Sequence, residues 1–380
     1  MPRKPHTPRR PTGPSILILL CFLAPGALWA QTGAPPVRGP LVVIGGALAD
    51  DNRAVYREVL EATLRDQPLC VLATASSQPR RSLESYVAIF RALADDEDAV
   101  LPIAIDLRHP ERADKRRWAR RLEGCGGFFF SGGDQSRIVD LLRPAGQSSL
   151  ADQALRGAVA RGAVVAGTSA GAAMMSQPMI GDGDSLSALR HGVTREEGAP
   201  GVWLRDGMGF LGGALVDQHF LARGRLGRLL VSLAASPHLR FGFGIDEDTA
   251  LVVGRDSARV VGRSAVVVLD QASPPTRLWL LANGDTIRLA TGIATPAPDK
   301  RPSTTIAEPD TPEDPWEGET FHHYLVALAR AEATHADVPA GPGWLRISKA
   351  TGFRQAARGT AEHPRALFAG PFEIELTASR

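Results

Sequence analysis

The chain has 380 residues, 44% of them hydrophobic and 22% charged, with 43 basic side chains against 41 acidic ones. That near-balance argues against a broad nucleic-acid or membrane-binding surface, and the composition is that of a globular protein rather than a disordered or fibrous one. Lys4, Lys115, Lys300 and Lys349 are the only lysines, so arginine carries the basic charge and a single Arg says little by itself.

The chain opens on Arg3, Lys4, Arg9 and Arg10, followed by the apolar run Ile16–Ala24 and then Ala27–Ala30. A basic start, a short apolar stretch and small residues read as a signal peptide over residues 1–30, and the run is too short for a membrane span. The expectation is export, to the periplasm or the medium, with no stable membrane anchor once the leader is removed. Past the leader only Cys70 and Cys125 remain, each in or beside an apolar run, and they read as buried free thiols. Spacing alone leaves a disulfide between them open. No Cys/His cluster has zinc-site spacing, and neither a metal nor a cofactor is expected.

From Leu41 short apolar runs alternate with amphipathic stretches. Leu41–Ile44, Leu69–Ala73, Leu101–Ile105, Phe128–Phe130 and Ala163–Ala166 predict buried strands. Between them Val55–Leu64, Ser82–Leu93, Ala113–Leu122 and Leu150–Ala160 have helical spacing. Such alternation predicts an α/β fold with a mostly parallel sheet covered by helices on both faces, and a ligand site beyond the carboxyl ends of the strands. From Phe241 to about Thr291 the pattern turns to hairpins. Thr295 to Glu319 is rich in Pro, Thr and acids and predicts a linker or exposed loop. The expected division is a leader over 1–30, a catalytic domain over 38–292, a Pro-rich linker over 293–320 and a C-terminal segment of unread role over 321–380.

Four segments carry chemistry. Val164 to Ala166 runs into Gly167-Thr168-Ser169-Ala170-Gly171, a G-x-S-x-G turn between a strand and a small-residue helix. Such a turn lifts a serine hydroxyl above the sheet and aims a helix N-terminus at developing negative charge. A second glycine turn, Ser131-Gly132-Gly133-Asp134-Gln135, follows the strand at Phe128–Phe130. In a parallel sheet it opens on the same edge, so a backbone N–H near Gly132 or Gly133 can join that of Ala170 as an oxyanion hole, with Gln135 starting a helix that faces the pocket. Asp217-Gln218-His219-Phe220 follows another apolar run, and His219 is a candidate base for Ser169. Arg223, Arg225 and Arg228 follow, as carboxylate clamps or as a solvated helix face. Asp246, Glu247 and Asp248 supply a carboxylate to orient the imidazole, with Asp182 and Asp184 as competitors.

Taken in order, the motifs Ser-Gly-Gly-Asp-Gln135, Gly-Thr-Ser169-Ala-Gly, Asp-Gln-His219-Phe and Gly-Ile-Asp-Glu247-Asp-Thr-Ala resemble the cyanophycinases, serine peptidases related to peptidase E and more distantly to the class I glutamine amidotransferase fold. The resemblance runs from about Leu41 to Asp270. It implies a three-layer α/β sandwich, here with a C-terminal extension. It also implies Ser169 as nucleophile, His219 as base and Glu247 as third member, beside the oxyanion hole of Gly133 and Ala170 expected from the shared sheet edge. Gln135, Asp217, Gln218, Arg223, Arg225 and Arg228 fall on positions that line the family's substrate pocket. The implied substrate is cyanophycin, a poly-aspartate with arginine on each β-carboxyl, and a homodimer is among the expectations that the resemblance carries. A peptidase E-like aspartyl dipeptidase and a non-catalytic exported binding protein are the competing readings.

Overall fold

The structure is a computed structural model that describes residues 39–94, 96–302, 316, 318, 320–340, 343–359 and 364–378. The signal-peptide segment 1–30 lies outside the described residues, as do 303–315, 317 and 319 of the Pro-rich stretch.

The first half alternates as the apolar runs require: β1 (Leu41–Ile44), α1 (Arg53–Ala62), β2 (Leu69–Leu72), α2 (Pro79–Leu93), β3 (Val100–Ile103), α3 (Arg116–Glu123), β4 (Gly127–Phe130), α4 (Gln135–Leu142), α5 (Leu150–Ala160), β5 (Val164–Thr168) and the single turn α6 (Ala170–Ala173). The strands expected from sequence are all present, with bounds displaced by a few residues. They lie parallel in the order β1-β5-β4-β2-β3. Both faces are dry because every residue of β1, β2, β4 and β5 is buried. Side-chain alternation divides them. Val42, Ile44, Val71 and Phe129 pack with Val55 and Val59 of α1 and Phe90 of α2. Val43, Leu72, Phe128, Phe130 and Val165 pack with Leu122 of α3 and Leu155 of α5. Each such fully buried Phe or Leu contributes roughly 1.5–3 kcal/mol relative to exposure.

The chain then forms a small sheet from β6 (Met179–Asp182), β7 (Val193–Thr194) and β8 (Val202–Arg205), with α7 (Ser185–His191) between β6 and β7. A second sheet starts with β9 (Ala214–Asp217), followed by α8 (Leu226–Ala234) and β10 (Phe241–Ile245). The chain crosses to the first sheet for β11 (Thr249–Val253) and β12 (Ser257–Gly262), antiparallel beside β1, returns for β13 (Ala265–Asp270) and β14 (Thr276–Ala282), and extends the first sheet with β15 (Thr286–Arg288) and β16 (Ile293–Thr295). These are the hairpins expected after Phe241. Phe243, Ile245, Val266 and Val268 share the core behind the first sheet, while Leu215, Val267, Leu269, Leu278 and Leu280 face away from it.

That outer face is covered in part by the C-terminal residues. After β17 (Arg301–Pro302) come α9 (Thr320–Arg330), β18 (His335–Ala340), β19 (Gly343–Gly359) and β20 (Pro364–Ala378); β20 pairs with β14, and β19 with β20. Phe321, Leu325 and Leu328 of α9 are buried with Leu278 and Leu280. The expectation that the whole stretch from Thr295 cannot pack is corrected for its first part. Lys300 lies 2.6 Å from Asp285, with neither side chain exposed, and Asp285 also accepts from the N–H groups of Ala282 and Ala297 at 2.8 Å. A buried charge needs such partners, so this ion pair fixes the segment onto the domain.

Candidate active site

Three consecutive carbonyls at the end of β1 organise the site. Ile44 O accepts from Ser169 N at 2.9 Å, Gly45 O from His219 N at 2.6 Å, and Gly46 O from Asp248 N at 2.9 Å. Segments that follow β5, β9 and β10 are thereby tied to one turn, although β9 and β10 belong to the second sheet. His219 follows β9 of the second sheet, not a strand of the sheet that carries Ser169. Gly45-Gly46 went unread as a site element, and the only sequence signal was a Gly-Gly pair after a buried strand. A Cβ on Gly46 would come within 2.9 Å of His219 Cδ2 and closer still to Cε1 and Nε2, so glycine is what lets the imidazole lie over this turn.

Ser169 follows β5 with φ 54° and ψ −112°, outside the regions favoured by L-residues. Strain of this kind costs on the order of 1–3 kcal/mol and persists where the surroundings over-determine it. Its Oγ lies 2.9 Å from His219 Nε2, and His219 Nδ1 lies 2.6 Å from Glu247 Oε1. A carboxylate only accepts, so Nδ1 carries the proton and Nε2 is left to accept from the serine hydroxyl. Burial pulls the His219 pKa below its ordinary value, Glu247 opposes this, and the guanidinium charges of Arg223 and Arg225 add to the lowering. The imidazole is therefore neutral, and so a competent base, at neutral pH.

The acids beside Glu247 are occupied elsewhere. Asp246 accepts from Leu221 N at 3.0 Å, Ala222 N at 2.9 Å and Ser264 Oγ at 2.6 Å. Asp248 accepts from Ala49 N at 3.0 Å and Asn52 Nδ2 at 2.8 Å, and pairs with Arg263 at 3.1 Å. Asp184 caps α7 through Ser187 N at 2.8 Å, and Asp182 is exposed at the end of β6. Glu247 alone among these five meets His219.

The second glycine turn runs beside Ser169. A Cβ on Gly132 would sit 3.2 Å from Ser169 Cβ, and Gly133 has φ +143° with its Cα facing the Ala75 carbonyl. Neither Gly133 N nor Ala170 N finds a hydrogen-bond acceptor among the described residues. Gln135 begins α4 as expected, and its Nε2 donates to the carbonyls of Ile180 (3.0 Å) and Gly181 (2.6 Å), holding β6. Gln218 is buried with its Oε1 unpartnered among the described residues.

The three arginines separate. Arg223 donates its backbone N–H to His219 O at 3.1 Å, while its side chain is exposed, without hydrogen bond or ion pair among the described residues. Arg225 donates to Gln218 O at 2.7 Å and lies 3.8 Å from Asp217; burial pulls its pKa down to about 10, against the attraction of Asp217. Arg228 forks onto Asp217 at 2.7 and 2.5 Å and donates to Gly183 O at 2.7 Å, with both residues buried. The expectation that Asp217 and Arg228 face substrate is thus corrected: their charges neutralise each other inside the wall, where a lone charge would be expensive. The expectation of free thiols is also corrected, because Cys70 and Cys125 form a disulfide with Cα atoms 5.9 Å apart, joining β2 to the turn that leads into its neighbour β4.

Residues 41–261 match the family described as Peptidase family S51. The chain is 34% identical over 221 residues to a cyanophycinase of Trichormus variabilis, covering 57% of this chain and 68% of that one. It is 32% identical over 226 residues to a cyanophycinase of Geminocystis herdmanii, covering 58% and 76% respectively. A solved structure of a peptidase from an acI-B1 Actinobacterium aligns with a TM-score of 0.49 and 22% identity, covering 67% of this chain and 99% of that one. The family match spans β1 to β12 and takes in the glycine turns, Ser169, His219 and Glu247. With more than half of its length matched and curated relatives above 30% identity, the chain belongs to peptidase family S51 and is a serine-type peptidase.

Proposed function

We propose that this peptidase is an exported cyanophycinase: it cleaves cyanophycin to β-aspartyl-arginine dipeptides, with Ser169 as nucleophile, His219 as general base and Glu247 as the acid that orients it. The observation that carries the chemistry is the chain of contacts from Ser169 Oγ to His219 Nε2 (2.9 Å) and from His219 Nδ1 to Glu247 (2.6 Å). Nε2 takes the hydroxyl proton as Oγ bonds to the carbonyl carbon. The N–H groups of Gly133 and Ala170 stabilise the oxyanion, and Glu247 stabilises the imidazolium. The imidazolium then protonates the departing amine, and water reverses the sequence to free the acyl group from Ser169.

Substrate choice rests on charge and polarity around the triad. Each arginine branch of cyanophycin keeps an α-carboxylate and a guanidinium. Arg223 and Arg225 offer forks for the carboxylate, and the unpartnered Oε1 of Gln218 offers an acceptor for an N–H. The names of the curated relatives support the same substrate. Export is supported by the leader-like residues 1–30 and by the Cys70–Cys125 disulfide, which suits an oxidising compartment; a polymer too large to import has to be cut outside.

The test is incubation of the purified protein with cyanophycin and with simple Asp-X dipeptides, products identified by mass. Release of β-aspartyl-arginine supports the proposal. Cleavage of the dipeptides alone would return the chain to an aspartyl dipeptidase. Inertness toward both, with no labelling of Ser169 by an active-site serine reagent, would leave a binding protein.

A further inference from the structure

A cleft of ≈ 370 Å³ opens between the loop after β1, the loop after β2 and the first turns of α2, lined among others by Asp50, Ser76, Gln78, Arg81, Ser85 and Tyr86. None of these residues belongs to the triad or to the arginine cluster. The cleft lies on the edge where Ser169 emerges, because β5 and β4 stand between β1 and β2 and all four run parallel. The glycine turn that passes Ser169 rests on the wall of the cleft: Asp134 N donates to Ala75 O at 3.0 Å, and a Cβ on Gly133 would lie 2.9 Å from Ser76 N. One peptide turn therefore separates the nucleophile from this space.

Its lining carries one charge of each sign. The side chains of Asp50 and Arg81 are exposed, without side-chain hydrogen bond or ion pair among the described residues. Ser76 Oγ, by contrast, is already engaged, accepting from Gln78 N at 3.0 Å and meeting Ser82 Oγ at 2.8 Å. α2 begins at Pro79 with no side-chain cap, so its first free N–H groups and its dipole add to Arg81 as a site for negative charge. Tyr86 lines the cleft together with Asp50, its ring packed 4.8 Å from that of Phe129. A neutral or singly charged ligand would leave one of these groups unanswered. A zwitterion with a guanidinium at one end and a carboxylate at the other answers both.

We propose that this cleft is a second subsite, which seats the arginyl branch of a cyanophycin unit beyond those flanking the scissile bond. The guanidinium meets Asp50 and Tyr86, and the α-carboxylate meets Arg81 and the start of α2. The assignment rests on the cyanophycin reading for its natural ligand, and it makes the enzyme favour chains over short fragments.

The test uses the full protein with Asp50→Asn and Arg81→Gln, checked for an unchanged melting temperature, on cyanophycin and on a two-unit β-aspartyl-arginine oligomer. Loss of one charge-assisted contact predicts a KM for the polymer raised about tenfold in each variant, and for the two-unit oligomer by less than about twofold. Equal rises on both substrates, or none on either, would overturn the subsite while leaving the peptidase assignment standing. If the wild type does not cut cyanophycin, the substrate reading fails by itself, and calorimetric binding of N-acetyl-L-arginine to Ser169→Ala protein then decides the cleft. A Kd weakened about tenfold by Asp50→Asn supports it, and an unchanged Kd overturns it.

Discussion

His219 lies against Gly46, close enough that no side chain fits between the turn and the ring. The same turn accepts the N–H of His219 through Gly45 O at 2.6 Å, so backbone holds the proposed base on this side. Gly46→Ala would displace the imidazole from Ser169. The expected outcome is a kcat lower by roughly 100-fold, the order attached to a misplacement of about 1 Å, and circular dichroism with a thermal melt should show the fold retained. A Gly46→Ala enzyme with wild-type kcat would mean that the ring need not occupy this place.

The three acids of the turn after β10 are predicted to behave differently although they are adjacent. Glu247→Gln removes the partner of His219 Nδ1 while breaking no other side-chain hydrogen bond among the described residues, and kcat is expected to fall by about 10³–10⁴, as for serine-triad acids generally. Asp246→Asn disturbs a buried carboxylate that accepts two backbone N–H groups and a hydroxyl. Its effect is expected in stability, about 1–3 kcal/mol by denaturant unfolding. Large loss of kcat from Asp246→Asn with full stability, and little from Glu247→Gln, would reassign the acid.

Much of this was readable before the structure. Leu41–Ile44 and Phe128–Phe130 are continuous apolar runs because they are buried on both faces, and the G-x-S-x-G turn stands out because a strand precedes it. The role of Gly45-Gly46 was hidden, since what makes that turn important is contact with segments about 125 to 200 residues away, which no local pattern records. Arg228 was misread for a related reason: a guanidinium that forks onto a buried acid and one that faces solvent are the same letter in a sequence. β19 and β20 were missed because half-exposed strands with polar residues and register shifts lack clean alternation. The disulfide needed the distance between two strands that only the fold brings together.

The pH dependence follows from the environment of His219. Burial lowers its pKa and the charges of Arg223 and Arg225 lower it further, so the neutral, active form persists below the ordinary imidazole value of about 6.5. The group binds fewer protons folded than unfolded, so rate is lost only as pH falls through the folded pKa, and the acid limb of kcat/KM lies below the ordinary value. Arg223→Ala removes a nearby positive charge and moves that limb to higher pH, whereas Glu247→Gln moves it to lower pH. A titration series of kcat/KM in the three proteins checks the signs, and a shift of opposite sign in Arg223→Ala would contradict the electrostatic account.

The arginine cluster is predicted to split by experiment as it does in space. Arg228→Ala leaves Asp217 charged and buried, and is expected to cost about 3–5 kcal/mol of stability. Arg223→Ala touches no internal contact among the described residues and is expected to raise KM for cyanophycin severalfold with the melting temperature unchanged. Unfolding curves and initial rates on both variants separate the two roles, and a stable Arg228→Ala protein would show that Asp217 finds another partner.

The central claim is that Ser169 attacks the scissile carbonyl with His219 as its base, and turnover by Ser169→Ala protein tests it most directly. Removing Oγ from a half-buried residue at a small-residue turn leaves the packing intact, so the variant should fold and bind as the wild type does. The account predicts a fall in kcat of several orders of magnitude, in line with serine-triad knockouts. Retention of more than about a tenth of the wild-type rate, a barrier change of only ~1.4 kcal/mol, would contradict it.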